Sequence, residues 1–163
     1  MTGPAQQLIH CAYTSLLAPE CTEAELVPIL TKARRTNTTL QATGILLFHQ
    51  RSFFQVLEGP RQRIEALYER ISGDPRHTRV TQLVNEPISE RSFRDWTMGL
   101  MEPTPDDLAA VPGLAPLVAA GGCLADLNAG QARALLDSLA RGPLRLRCET
   151  AMVRSLITSL PER

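Results

Sequence analysis

From residue 8 onward the chain alternates short apolar runs with helical stripes. Leu8–Ser15 (LIHCAYTS) has strand periodicity: Ile9, Cys11, Tyr13 and Ser15 share one face, and His10, Ala12 and Thr14 the other. Thr22 followed by Glu25 makes a capping box. Leu26, Ile29, Leu30, Ala33 and Asn37 then recur at helical spacing, with Pro28 past the expected first turn, where it predicts a kink. Two apolar runs, Ile45–Phe48 and Phe53–Leu57, flank the four-residue polar tip His49–Ser52 and predict a buried β-hairpin. A second helix is predicted over Arg61–Ser72, with Ile64, Leu67, Tyr68 and Ile71 inward and Gly73-Asp74-Pro75 ending it. Strands are predicted near Val80–Val84 and Phe93–Met98.

The order β-α-β-β-α-β, with one further strand, predicts an α+β fold: a ferredoxin-like mixed sheet with two helices on one face. Those helices leave a groove over the sheet, and Tyr13, Asn37 and Gln55 are expected to point into it. After Met101-Glu102-Pro103 the composition shifts toward Ala, Leu, Gly and Pro. The chain therefore divides into a domain over 1–102 and a C-terminal two-helix extension over 103–163. Leu127–Arg141 is predicted helical, with Ala132, Leu135, Leu136 and Leu139 as its stripe and Gly142-Pro143 as its stop. A last helix is predicted over about Arg147–Leu160, with Met152, Val153, Leu156, Ile157 and Leu160 inward. These stripes must pack on the open face of the sheet or on another protomer. Leu108–Ala125 is uncharged but broken by Pro112, Gly113, Pro116, Gly121 and Gly122, so it reads as a connecting segment and a short helical turn rather than a membrane span.

Charge and composition narrow the functional classes. Lys plus Arg and Asp plus Glu stand at 17 each, so no global field draws the chain to nucleic acid or to acidic membranes. An RNA-binding module of the same element order would show a basic, aromatic consensus, yet Phe53 and Phe54 are adjacent and face opposite sides of a strand. The four cysteines show no CxxC or zinc-ligand spacing, and the N-terminus lacks a basic region and a long apolar core. A reduced cytoplasmic setting without a metal centre is expected. His10, His49 and His77 lie on separate elements, and no Ser/His/Asp or Cys/His constellation supports a small hydrolase or flavin reductase. A module without catalysis of its own is expected.

Gln55 is the residue out of place. It stands in mid-strand between Phe53 and Leu57 on its own face, where a carboxamide without partners costs about 1–3 kcal/mol. On spacing alone it could be a polar residue near a strand edge, just as Asn37 could be a helix stop and Asp74 and Arg76 a solvated turn. The linked motifs tell more. A-Y-T-S (Ala12–Ser15), T-G-x-L-L from Thr43, F-F-Q-x-L-E-G-P from Phe53, L-Y-x-R-I (Leu67–Ile71), D-x-R-H (Asp74–His77) and R-x-F-x-x-W-x-M-G (Arg91–Gly99) follow one another in order. Over about Leu8 to Glu102 the chain resembles the BLUF family of blue-light sensors that bind FAD.

The resemblance implies a flavin, FAD with FMN or riboflavin as possible substitutes, and a photoactive pair, Tyr13 and Gln55. Blue light would move an electron and then a proton from Tyr13 to the flavin. The Gln55 amide would then rearrange its hydrogen bonds and shift the absorption reversibly to the red. Asn37, Asp74 and Arg76 match the family's flavin contacts, and Arg70 stands nearby. Thr36 replaces a frequent Asn or His, and Ala42 an Ile or Val, neither of which the photocycle requires. Trp96 and Met98, two apart in the predicted strand, would share a face and relay the switch to the C-terminal helices. The signal would leave through a homo-oligomer or a separate effector protein.

Overall fold

A mixed sheet with apolar side chains on both faces organises the computed structural model, which describes residues 6–145 and 147. Its strands are β1 (Leu8–Leu17), β2 (Thr43–His49), β3 (Ser52–Pro60), β4 (His77–Pro87) and β5 (Gly99–Met101), in the order β4-β1-β3-β2-β5. Only the β2–β5 pairing is parallel. Helices α1 (Leu26–Leu40) and α2 (Arg61–Ser72) cross one face, as the β-α-β-β-α-β pattern predicts. This is the ferredoxin-like arrangement of an α+β fold.

The second face is covered by α3 (Pro105–Ala109), α4 (Ala115–Ala119) and α5 (Ala129–Arg141) with the segments between them. The stripe Ala132, Leu135, Leu136 and Leu139 is buried against the same cluster as Ile45, Leu47, Phe54 and Val56 of the hairpin. Each leucine removed from water contributes about 1.5–3 kcal/mol, so this face is a core in its own right. Burial on both sides explains why β2 and β3 read as nearly continuous apolar runs rather than alternating ones. The helix predicted over Arg147–Leu160 lies, beyond Arg147, outside the described residues. Cys11, Cys21 and Cys123 are unpaired thiols, and among the described residues no helix is long and apolar enough to cross a membrane.

Six local expectations need correction. The Thr22 side chain makes no cap; a 3-10 turn over Glu23–Glu25 comes first and α1 begins at Leu26. Pro28 therefore sits in the first turn, where its missing N–H is not needed, and no kink arises. The hairpin tip is shorter than its polar stretch: His49 pairs with Ser52, and Gln50 and Arg51 form the turn at φ 48° and 60°. Two consecutive left-handed residues suit the twist of a hairpin. The Arg51 guanidinium holds the turn by donating to the carbonyls of Ala18 and Cys21, both at 2.9 Å.

The strand predicted near Val80–Val84 runs longer, through all of β4. The strand predicted over Phe93–Met98 does not form; only Gly99–Met101 pairs with β2. Its backbone is engaged elsewhere. The Ser92 and Phe93 N–H groups donate to the Glu58 carboxylate, and the Trp96 N–H turns back to the Phe93 carbonyl. Trp96 and Met98 consequently do not share a face: Met98 packs under α1 and α2, and Trp96 packs against the opposite cluster.

Candidate functional site

Sheet register decides which side chains meet beneath the two helices. Tyr13 on β1 lies directly opposite Gln55 on β3, and Gln55 in turn opposite Leu46 on β2. All three side chains point to the α1/α2 face, so a phenol and a carboxamide stand side by side in an apolar layer of Ile9, Phe53, Leu57 and Ile64. Above them a groove runs between the helices. Ile29, Ala33, Leu46, Leu67 and Ile71 form its apolar walls, and Lys32, Thr36, Asn37, Gln55, Arg70, Asp74, Arg76 and His77 supply its polar groups.

The polar inventory of this layer is unbalanced. The Tyr13 hydroxyl is wholly buried and has no hydrogen-bond partner among the described residues. Its ring meets Tyr68 edge-on at 5.5 Å. Burial pushes the Tyr13 phenol well above its ordinary range, reinforced by Cys11, Tyr68 and Asp74. An unsatisfied buried hydroxyl costs about 1–3 kcal/mol and asks for a polar neighbour that the described residues do not provide. Gln55, 4% exposed, donates from Nε2 to the Met98 sulfur at 3.2 Å. Sulfur is a weak acceptor, so the amide is held loosely, and its carbonyl accepts no hydrogen bond among the described residues.

Asn37 is buried on the inner face of α1 and donates from Nδ2 to the Thr97 carbonyl at 2.6 Å. It is not the helix stop; that position belongs to Gln41, in the left-handed conformation. Asp74 and Arg76 close one end of the groove as a pair: Nη2 meets Oδ2 at 2.7 Å and Nε meets Oδ1 at 3.1 Å. The Arg76 guanidinium holds the Asp74 carboxyl down to about 2. Arg70 lines the groove from α2.

Of the eight residues singled out in the sequence, Asn37, Gln55, Arg70, Asp74 and Arg76 line the groove, Tyr13 lies beneath it and Met98 backs Gln55. Trp96 does not join them: it stacks on Phe93 at 5.7 Å on the other side of the sheet, beneath the Arg145 guanidinium. Two lining residues were overlooked. Lys32 is adjacent to Ala33 of the helical stripe, and His77 ends the D-x-R-H motif. His77 is held by Ser15 Oγ at 3.0 Å from Nδ1, and burial lowers its basicity.

An orphaned phenol, two amides with unused capacity and apolar walls fit a planar heterocycle with a mixed donor and acceptor edge. Comparison with known proteins agrees. A family model described as sensors of blue light using FAD (BLUF) matches residues 8–99. The chain is 37% identical over 108 residues to the photoactivated adenylate cyclase subunit beta of Euglena longa, a match covering 66% of this chain and 12% of that protein. It is 39% identical over 70 residues to the blue light- and temperature-regulated antirepressor BluF of Escherichia coli (strain K12), covering 43% of this chain and 17% of that protein. The chain thus spans less than a fifth of the length of these curated relatives. Among solved structures, the dark state of the BLUF protein BlrB superposes with a TM-score of 0.65 at 31% identity, over 83% of this chain and 99% of that one. The ground state of BlsA gives a TM-score of 0.67 at 26% identity, over 82% and 87%.

The Asp74–Arg76 pair carries a pH signature. A carboxyl held low in the fold contributes stability above its ordinary titration, near about 4, and loses that contribution as the pH falls toward about 2. Urea unfolding is expected to show Asp74→Asn less stable than wild type by about 1–2 kcal/mol at neutral pH, with the gap closing as the pH is lowered. A gap independent of pH contradicts this assignment.

Proposed function

Because the chain belongs to the BLUF family, the sensors of blue light using FAD, we propose that its light switch is the Tyr13–Gln55 pair on adjacent strands beneath the groove. The observation that carries this reading is the buried, unpartnered Tyr13 hydroxyl cross-strand from an amide that is itself only loosely held. The flavin ring would lie between α1 and α2, with the Asn37 and Gln55 amides on its polar edge, Ile29, Leu46 and Leu67 as walls, and Asp74 with Arg76 closing one end.

A bound flavin supplies a blue-absorbing chromophore whose excited state accepts an electron. Tyr13 would be the donor: burial raises its phenol well above the ordinary range, so the neutral phenol is the form that faces the groove. Gln55 is the switch. The N–H···S contact to Met98 is a weak restraint, so the amide would exchange partners at small energetic cost, and a changed hydrogen bond to a bound flavin would shift its absorption to the red.

Lys32 and Arg70 refine the ligand. They stand on facing helices at the groove, both exposed, and neither makes an ion pair among the described residues. Two uncommitted cations at the mouth suit the phosphate of FAD or FMN over riboflavin. The output would pass through residues 103–163 to a second copy or to a separate effector, the role that a cyclase or an antirepressor fills in the relatives' names.

Two measurements test these assignments. The purified, flavin-loaded protein is expected to be yellow and to shift its flavin band reversibly to the red in blue light, while Gln55→Leu stays yellow without the shift. A shift that survives in Gln55→Leu would falsify the role given to this amide. In a dark fluorescence titration, Lys32→Gln combined with Arg70→Gln is expected to weaken FMN binding about tenfold and to leave riboflavin binding unchanged. Equal weakening for both ligands contradicts a phosphate contact.

A further inference from the structure

Two motif residues have no part in the switch as described: Glu58 of F-F-Q-x-L-E-G-P and Arg91 of R-x-F-x-x-W-x-M-G. Both lie where the segment that carries Met98 leaves the sheet. Glu58 stands three positions beyond Gln55 on β3, is 0% exposed, and both of its carboxylate oxygens are engaged. Oε1 accepts from Thr43 Oγ1 at 2.9 Å and from the Phe93 N–H at 2.6 Å, and Oε2 accepts from the Ser92 N–H at 2.9 Å. Arg91 clasps the same corner. Its Nη1 donates to Thr43 Oγ1 at 2.8 Å and to the Glu58 carbonyl at 3.1 Å, and its Nη2 donates to the Gln41 carbonyl at 2.7 Å.

A buried carboxylate is costly unless every lone pair finds work, so a carboxylate spent on two backbone N–H groups of a loop fixes that loop firmly. The loop has no ladder of its own before β5. Its other end is tied to the walls of the groove. The Thr97 carbonyl accepts from Asn37 Nδ2, the Met98 carbonyl accepts from Arg34 Nε at 3.1 Å, and the Met98 sulfur accepts from Gln55. Glu58 and Gln55 therefore grip the two ends of one segment from one strand.

We propose that Glu58, assisted by Arg91, is a positioning residue for the photoswitch: its carboxylate fixes the 91–98 segment and so sets where the Met98 sulfur meets the Gln55 amide. The proposal rests on the reading of Gln55 as the switch. It assigns Glu58 an effect on the photocycle that passes through Met98, whereas a residue that only stabilises the fold would act whether or not Met98 is present.

A double-mutant cycle on the full chain separates these cases. Glu58→Gln keeps the shape and one acceptor oxygen but turns an NH2 toward a backbone N–H. The rate at which the light-shifted flavin band returns in the dark is measured for wild type, Glu58→Gln, Met98→Leu and the double variant. Residues in one contact network act non-additively, so Glu58→Gln is expected to change the return rate at least about threefold beside Met98 and less than about 1.5-fold beside Leu at that position. The same factor in both backgrounds, or no change in either, overturns the proposal. If Glu58→Gln yields no folded protein, Thr43→Val removes only the hydroxyl shared by Glu58 and Arg91 and is judged by the same criterion. A wild type that binds flavin without any light-induced shift overturns the Gln55 reading itself. A shifting wild type with additive variants overturns the Glu58 assignment alone.

Discussion

The pairing of β1 with β3 is the constraint on which the rest of the site depends. Strand side chains alternate, so a slip of one residue would send Tyr13 to the opposite face and replace it under α1 and α2 with Ala12 or Thr14. The observed register puts the phenol beside Gln55 and leaves its hydroxyl without a partner among the described residues, in an apolar layer. Ordinary core packing avoids such a vacancy in hydrogen bonding, since a phenylalanine at residue 13 would bury its ring with no orphaned oxygen. The penalty makes sense when the groove above holds a ligand whose polar edge reaches the same point.

The two faces of the sheet divide the labour. One presents Tyr13, Gln55 and Met98 to the helices that wall the groove; the other is sealed by α3, α4 and α5. The segment between β4 and β5 contacts both faces. Met98 turns inward to Gln55, while Phe93 and Trp96, two to five residues earlier in the chain, stack with Arg145 on the far side. Arg145 also donates to the Ser92 carbonyl at 2.6 Å, and Ser92 offers its N–H to Glu58. One packed segment thus touches both Gln55 and Arg145, just beyond α5.

Much of this fold was legible because its signals are local. The bounds of α2, the stripe of α5 and the apolar runs of β2 and β3 follow from periodicity and burial on both faces. Thr22 and Pro28 were misread because a 3-10 turn delays the helix start, and the other misread positions are mostly those where a distant group overrides the local pattern. Phe93–Met98 has strand-like composition, but the Glu58 carboxylate, 35 residues away from Phe93 in sequence, takes the N–H groups that a ladder would need. The hairpin tip hides its two-residue turn because Gln50 and Arg51 lack the Asn-Gly signal and depend on contacts to Ala18 and Cys21. Tyr13, Asn37 and Gln55 were placed together from strand parity and helix phase. Lys32 and His77 were not, because a lysine beside a helical stripe and a histidine after a turn carry no local mark of facing a groove. Trp96 shows the reverse: spacing two from Met98 implied a shared face only so long as both lay in one strand.

The proposal that the groove between α1 and α2 seats a flavin against the Tyr13–Gln55 pair is tested most directly by a crystal structure of the flavin-loaded protein kept in the dark. The expected structure has the ring system between the helices, with its polar edge within hydrogen-bond reach of Asn37 and Gln55 and the Tyr13 hydroxyl bonded to the Gln55 amide. A flavin seated elsewhere on the molecule, or a Tyr13 hydroxyl still without a partner in the loaded protein, would contradict it.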